Sequence, residues 1–318
     1  VHGKNHHGAG SFGMHVTEIT LMTPKGSKVL TPAKNTALFK ATIGGLGQTG
    51  PIVSARVQML RAKGDVMIVT ERRVEAWDEV LALLDASEAT YTVGWIDATA
   101  RGDQLGRGIL EEAETGAGLI PPAKRGKRVP MDAPAMALSP SVVRTFNAAY
   151  WRRVPDKGRT VVKPIDNFFF PLDKIHDWNR LYGKSGFHQF QCVVPIEAAN
   201  ALRTMLERIA GSGLASPLAV LKRMGPGRAG HMSFPMEGYT LAVDFPNRNA
   251  AERLIGELET ATVEAGGRIY LAKDALAGPE TVRGMYPEFS KWLKAVNSVD
   301  PDGHYITDLV RRLELRTT

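Results

Sequence analysis

Apolar and polar positions fall into short alternating runs and a few longer amphipathic ones. Val16 to Met22 alternates and is rich in β-branched residues, which predicts a strand closed by a turn at Pro24-Lys25-Gly26. A short helix is expected from Lys34 to Thr42, after Thr31-Pro32. A second strand is expected from Ile52 to Leu60, with Val53, Ala55, Val57 and Met59 on one face. Further on, Val66 to Thr70 reads as a strand, Val74 to Leu84 as a helix and Thr90 to Ile96 as a strand. Residues 101–165, crowded with Gly, Pro and basic side chains, have little pattern.

Order returns at Phe187. The segments Phe187–Val194, Leu218–Arg223, Tyr239–Phe245 and Arg268–Ala272 read as strands, and Ile196–Ile209 and Ala250–Ala265 as helices. The first of these helices places Ala199, Leu202, Leu206 and Ile209 on one stripe and stops at Gly211-Ser212-Gly213. The order is β-α-β-β-α-β, which predicts a split βαβ sandwich with both helices on one face of an antiparallel sheet. Short helices are expected around Pro279–Met285 and Glu288–Val296.

Composition adds bounds. The chain has 318 residues, 43% of them hydrophobic and 23% charged, which suits a folded protein of about two domains. Cys192 is the single cysteine, so no internal disulfide can form. No apolar run approaches the roughly 18 residues of a membrane span. Net charge is +7, and part of the excess is local, in Lys124-Arg125-Gly126-Lys127-Arg128, Arg152-Arg153 and Lys157-Gly158-Arg159. Such clusters attract phosphates, nucleic acid or anionic lipid, or are solvated loops. The chain begins at Val1 and opens at once on a glycine-rich loop, so further residues are expected upstream.

Gly8-Ala9-Gly10-Ser11-Phe12-Gly13 and Gly45-Leu46-Gly47-Gln48-Thr49-Gly50 both fit G-x-G-x-x-G. A dinucleotide-binding turn needs that motif to open a helix, so that the helix N-terminus meets the pyrophosphate. Strand-like residues follow each motif here, which argues against such a site. Tight turns, or close backbone approach to a bulky cofactor, remain. His6, His7 and His15 invite a metal reading, but neighbouring histidines project differently and no carboxylate or cysteine cluster joins them, so no metal is expected.

The opening His2-Gly3-Lys4-Asn5-His6-His7-Gly8-Ala9-Gly10-Ser11-Phe12-Gly13 resembles the flavin-site loop of FAD-linked oxidases of the vanillyl-alcohol-oxidase type. More narrowly, it is similar to the oxidase subunits of the decaprenylphosphoryl-β-D-ribose 2′-epimerase family. Matching blocks run along nearly the whole chain, among them Gly44–Gly50, Pro171-Leu172-Asp173, Trp178-Asn179-Arg180, Gln189-Phe190-Gln191, Val243-Asp244-Phe245-Pro246, Gly266–Asp274 and Arg311–Leu315. Each block is weak alone; their order and spacing together are specific.

The resemblance implies an α+β protein with a split FAD-binding domain whose N-terminal part is missing. It also implies an inserted antiparallel-sheet substrate domain containing the βαββαβ unit. The expected division is 1–62 for the FAD domain, 63–267 for the substrate domain and 268–318 for the returning FAD segment. FAD would be held non-covalently by His2, Gly3, Ile52, Tyr270, Ala272 and Lys273. Lys273, ending the strand Arg268–Ala272, would stabilise the reduced anionic flavin, and His2 would orient the ring or relay a proton. The alternative for Lys273 is a surface ion pair with Asp274. Lys4, Trp95, Phe169, Gln191, Lys222, Thr240 and Ala242 would form the substrate pocket. Two positions depart from the family pattern: Ala242 stands where a pocket cysteine is usual, and Phe169 where a tyrosine is.

The implied reaction is oxidation of the 2′-hydroxyl of a polyprenyl-phosphoryl ribose to the keto sugar, a step of cell-wall arabinan precursor synthesis. Quinone or oxygen would reoxidise the flavin, and a separate nicotinamide-dependent reductase would complete epimerisation. The expected location is cytoplasmic or peripheral at the inner membrane, where the basic loops between 101 and 165 suit a lipid phosphate. A sugar-1,4-lactone oxidase is the alternative within the superfamily. A non-catalytic polyanion-binding protein is the alternative of another class.

Overall fold

A computed structural model of the chain describes residues 6–118 and 126–316. The chain first builds a small antiparallel sheet from β1 (Val16–Thr23), β2 (Gly26–Leu30) and, after helix α1 (Thr36–Thr42), β3 (Ile52–Val57), in the order β2-β1-β3. Ile19 and Leu21 alternate inward and meet Leu30, Leu38, Phe39 and Ile43, which closes one face of this sheet with α1. The strand β3 is shorter than its apolar alternation predicts. Val53, Met59 and Leu60 are largely exposed, so that alternating stripe is not a core face.

The next strands enter one eight-stranded sheet. They are β4 (Val66–Val74), β5 (Tyr91–Ile96), which follows helix α2 (Trp77–Ala86), and β6 (Gly108–Gly116). After β7 (Lys127–Arg128) and helix α3 (Pro140–Arg152), β8 (Arg159–Pro164) joins that sheet, followed by the short helix α4 (Ile165–Phe169) and by β9 (Ile175–His176), which pairs with β7 alone. The expected βαββαβ unit is present as β10 (Phe187–Val194), α5 (Ala199–Ser212), β11 (Ala219–Met224), β12 (Gly238–Pro246), α6 (Asn249–Glu264) and β13 (Arg268–Ile269). The sheet order is β13-β10-β12-β11-β5-β6-β4-β8, so the unit fills one half and the earlier strands extend it.

Parity along each strand decides which face a side chain joins. Phe190, Cys192 and Val194 of β10, Leu241, Val243 and Phe245 of β12, and Leu221 of β11 all point to one side. There they meet Leu202, Met205, Leu206 and Ile209 of α5, Leu254, Ile255 and Leu258 of α6, and Val80 and Leu84 of α2 in a single core. Each such side chain contributes about 1.5–3 kcal/mol on burial. The opposite face is therefore left to other groups.

Two expectations are corrected here. The strand β4 runs on to Val74 because Glu71–Val74 stay paired with Glu111–Gly108 of β6, so α2 starts at Trp77 and not at Val74. The described part of 101–165 holds β6, α3 and β8. The strand β6 is hidden in the sequence by its carboxylates, each of which has a partner. Glu112 accepts from the Ser87 hydroxyl, Glu114 accepts from the backbone N–H and hydroxyl of Thr90, and Glu111 pairs with Lys163.

Some of the basic clusters serve this sheet too. Glu71, almost fully buried, lies across from Glu111 in the ladder, a pairing that like charge would oppose. Arg159 (2.6 Å), Lys163 (3.0 Å) and Arg153 (3.2 Å) converge on Glu71, and Lys163 bridges to Glu111 at 3.1 Å. Arg153 and Arg159 are thus ion-paired and not free for a polyanion. Lys124 and Arg125 lie outside the described residues.

The C-terminal segment, α7 (Pro279–Met285), α8 (Phe289–Val299) and α9 (Asp308–Arg312), packs back on α1. Trp292 and Val296 join Ala41, Met232, Leu271 and Val310 in one cluster. Polar clasps reinforce it: Gln48 donates to the Tyr305 carbonyl at 2.8 Å, and buried Arg316 pairs with buried Asp300 at 3.1 Å.

Burial by itself raises the Glu71 pKa, but hydrogen bonds from Lys163 and Arg159 and the charges of Lys163 and Arg153 outweigh it and hold the carboxyl down at about 2. A lowered folded pKa contributes stability above the unfolded value and loses it as pH falls toward the folded one. Glu71→Gln is therefore expected to cost roughly 3 kcal/mol at neutral pH in denaturant titration. The difference from the parent should shrink steadily between about pH 4.5 and pH 2. A difference that does not change with pH would show that Glu71 acts through packing alone.

Candidate active site

The open face of the large sheet collects the polar positions of alternate parity. Gln191 of β10 stands opposite Ala242 of β12, Ala242 opposite Val220 of β11, and Val220 opposite Trp95 of β5. One step along the strands, Val193, Thr240 and Lys222 form a parallel row. In antiparallel pairing, directly opposed residues share a face, so Gln191, Thr240, Lys222, Ala242 and Trp95 all lie on the side away from α5 and α6. Thr240 Oγ1 donates to the Cys192 carbonyl at 2.7 Å and accepts from Gln191 Nε2 at 3.1 Å, which fixes both buried side chains as the floor. Ala242, Val220 and Lys222 are half-buried and form the accessible part.

Beside this row sits a network not foreseen from the sequence. The buried carboxylate of Asp244 accepts from Gln189 Nε2 and from the Tyr182 hydroxyl, each at 3.0 Å, and Ser216 Oγ lies 3.1 Å from the Tyr182 oxygen. Burial first, then the charge of Asp244, pushes the Tyr182 pKa up, so its hydroxyl keeps its proton. Gln189 was accessible to reasoning, since it alternates with Gln191 on a strand. Tyr182 comes from a distant turn, and no spacing announces it.

Lys273 does not end a strand. The strand β13 stops at Ile269 and the chain turns, with the Tyr270 N–H donating to the Gln191 carbonyl and the Lys273 N–H donating to the Tyr270 carbonyl, both at 2.9 Å. The hydrogen bond to Gln191 ties this turn to the polar row. Asp274 is occupied elsewhere: it pairs with Arg312 at 2.5 Å and accepts from the N–H groups of Leu276 and Ala277. The charge that acts on half-buried Lys273 is that of Asp244. Burial lowers the Lys273 pKa, and Asp244 partly restores it.

Tyr270 packs on Phe234, and with Leu271 and Ala272 it lines a cleft of about 280 Å³ closed by Thr42, Gly44 to Gly47, Met232 and Tyr286. The second glycine motif thus forms one wall of a cavity and opens no helix. Gly47 has φ 75° with nothing near the position a Cβ would take, whereas at Gly45 a Cβ would strike the Ala41 carbonyl at 1.7 Å. The first motif begins as a tight turn, closed by paired backbone bonds between His6 and Gly10; its last residues, Phe12 and Gly13, enter a single 3-10 turn, Phe12–His15, and β1 starts only after it, at Val16.

This turn also leans on the open face. His6 and His7 stack at 4.9 Å, His6 meets Tyr91 edge-on at 5.5 Å, and Tyr91 meets Phe169 at 5.1 Å. Burial first, and then neighbouring positive charge that includes Lys222, lowers the pKa of both histidines. Lys222, the histidine turn and Phe169 are thereby linked. Trp95 Nε1 donates to the Pro217 carbonyl at 2.9 Å, and its ring meets Tyr150 of α3. Ile52 stands apart on exposed β3 and does not line the cleft. His2, Gly3 and Lys4 lie outside the described residues. Among the described residues no cluster of His, Cys, Asp or Glu has the makings of a metal site, and no helix is long and apolar enough to cross a membrane.

No protein-family profile matches the chain. It is 37% identical over 330 residues to decaprenylphosphoryl-beta-D-ribose oxidase of Mycolicibacterium smegmatis, covering 99% of this chain and 72% of that relative. It is also 30% identical over 336 residues to an uncharacterized protein in the mprA 5′ region of Streptomyces coelicolor, covering 99% of this chain and 90% of that one. The chain is an oxidoreductase. It belongs to the decaprenylphosphoryl-β-D-ribose oxidase family.

Because Asp244 raises the Lys273 pKa against the effect of burial, Asp244→Asn is expected to lower it further. NMR titration of isotopically methylated lysines, with Lys273 assigned by substitution, should show its midpoint moving to lower pH in the variant. An unmoved midpoint would dissociate the two residues.

Proposed function

We propose that the protein oxidises the 2′-hydroxyl of a polyprenyl-phosphoryl ribose to the 2′-keto sugar, using non-covalently held FAD. The observation that carries this reading is the run of Gln191, Thr240, Lys222 and Ala242 along one sheet face, leading through the Tyr270 turn to Lys273 and the glycine-walled cleft. The substrate is that in the name of the Mycolicibacterium smegmatis relative.

The residues of the cleft fit a flat aromatic cofactor. Aromatic and aliphatic residues, Phe234, Tyr270, Leu271, Met232 and Leu46, line the cleft together with Gly44, Gly45 and Gly47, which have no side chain to fill it. Tyr270, Ala272 and Lys273 would hold the flavin, with His2 and Gly3 added on the resemblance alone; Ile52, which does not line this cleft, is left out. When bound, FAD supplies the hydride acceptor.

The chain's own residues would do the rest. Thr240 and Gln191, fixed by their mutual hydrogen bond, orient the sugar, and Lys222 meets a ring oxygen or the phosphate. Trp95 and Phe169 supply apolar walls. Lys273 holds a positive charge where negative charge accumulates during turnover, and its desolvation makes that charge more effective than in water. His2 would accept or relay the hydroxyl proton, and Lys4 would line the same pocket. We also propose that residues 1–62 and 268–318 form the flavin-binding lobe and 63–267 the substrate lobe. A nicotinamide-dependent reductase would act on the product, and quinone or oxygen would take the electrons.

The test is anaerobic mixing of the flavin-loaded protein with polyprenyl-phosphoryl ribose. The flavin absorbance should bleach, and Lys273→Ala should slow bleaching about 100-fold. No bleaching with this substrate, but bleaching with a sugar 1,4-lactone, would reassign the substrate. No bleaching with either would reject the oxidase chemistry.

A further inference from the structure

Helix α3 is amphipathic in an unusual sense, because its outward face is apolar as well. Val143, Asn147 and Trp151, four residues apart, are buried. Asn147 Nδ2 donates to Asp97 Oδ1 at 2.7 Å, and Trp151 Nε1 donates to the Val74 carbonyl at 3.2 Å, so the orientation of the helix is fixed. Val142 and Phe146 are consequently held in solvent at 47% and 51% exposure. With Ser141 and Thr145 they line a shallow hollow of about 400 Å³.

This stripe is not isolated. Phe146 stacks on Tyr150 at 6.0 Å with an interplanar angle of 15°, and Tyr150 in turn meets Trp95 at 4.7 Å. Trp95 belongs to the cross-strand row that includes Val220, Ala242 and Gln191. A continuous aromatic path therefore runs from the polar floor of the sheet to the surface. From Tyr150 to Val142 it covers roughly 12 Å, at about 1.5 Å per helical residue, the length of a few isoprene units.

We infer that the Val142–Phe146 stripe of α3, reached through Tyr150 and Trp95, binds the proximal isoprene units of the substrate's polyprenyl chain. The inference rests on the proposed lipid-linked substrate. A charged sugar phosphate held near Lys222 leaves its hydrocarbon chain to be shielded from water, and this ladder is an apolar route continuous with Trp95 that reaches the surface. Burying two exposed apolar side chains against hydrocarbon is enough to change affinity by about tenfold.

The experiment uses the double variant Val142→Ser/Phe146→Ser and the conservative Phe146→Leu in the flavin-loaded protein. Two detergent-dispersed substrates are compared, one with a long polyprenyl chain and one with a single isoprene unit. For the long chain, the double variant should raise KM about tenfold with kcat retained, while Phe146→Leu stays near the parent. For the single-unit substrate, KM should stay within about twofold. Affinity for a fluorescent polyprenyl phosphate, which needs no turnover, should fall by the same factor as the long-chain KM rises. Equal losses with both chain lengths, or no loss with either, would overturn the inference. So would weaker binding to anionic lipid vesicles with an unchanged long-chain KM, which would make the stripe a bilayer contact. If the parent turns over neither substrate, the functional reading fails, and polyprenyl-phosphate affinity still decides what the stripe binds.

Discussion

Antiparallel pairing between β10, β12 and β11 imposes a parity on which every other feature of the proposed site depends. Cys192, Leu241 and Leu221 are opposed on one face, and Gln191, Ala242 and Val220 on the other. A slip of one residue would exchange the two sets, placing Gln191 and Lys222 under the helices and the core leucines in the cleft. The register is secured by the helices that the first set buries, so the polar row is a consequence of the core and not a separate achievement. The same pairing reaches sideways: β13 aligns on β10, and the N–H of Tyr270 then delivers the following turn, with Lys273, to the carbonyl of Gln191.

Electrostatics divides the molecule into used and unspent charge. Glu71 gathers Arg153, Arg159 and Lys163 at one end of the sheet, and Asp274 takes Arg312. These cations are structural, and an excess of basic residues in the sequence overstates the surface open to a polyanion. Lys273 is of another kind, since it is half-buried and its opposing charge, Asp244, is itself held by Gln189 and Tyr182. Burial lowers the pKa of this lysine and Asp244 partly restores it, and in the proposed function its charge meets the negative charge that develops during a reaction.

The βαββαβ unit was legible because each of its elements has a clean period and glycine stops, and the core of the sheet follows from that period. The strand β6 and the helix α3 were not. The glutamates of β6 look like solvent-facing residues until Ser87, Thr90 and Lys163 are brought to them from other strands and turns. The outward apolar stripe of α3 blurs the period that Val143, Asn147 and Trp151 would otherwise display. At the site, strand alternation groups Gln191 with Gln189, but resemblance alone selected Lys273, and its expected place at a strand end was wrong because β13 is only Arg268–Ile269. Tyr182 and Ser216 are joined to Asp244 by tertiary structure and carry no local signal.

The central claim is that the face bearing Ala242 is where substrate binds, and the single native cysteine makes a direct measurement possible. Cys192 is fully buried on the opposite face, and desolvation pushes its thiol up to about 12, so it is expected to stay unlabelled by alkylating reagents in the folded protein. A thiol introduced by Ala242→Cys, at a half-buried position on the open face, should take up one equivalent of a maleimide. Polyprenyl-phosphoryl ribose should protect it from labelling, and the labelled protein should no longer reduce its flavin with that substrate. Labelling that substrate does not slow, in protein that keeps its full rate of flavin reduction, would contradict the account.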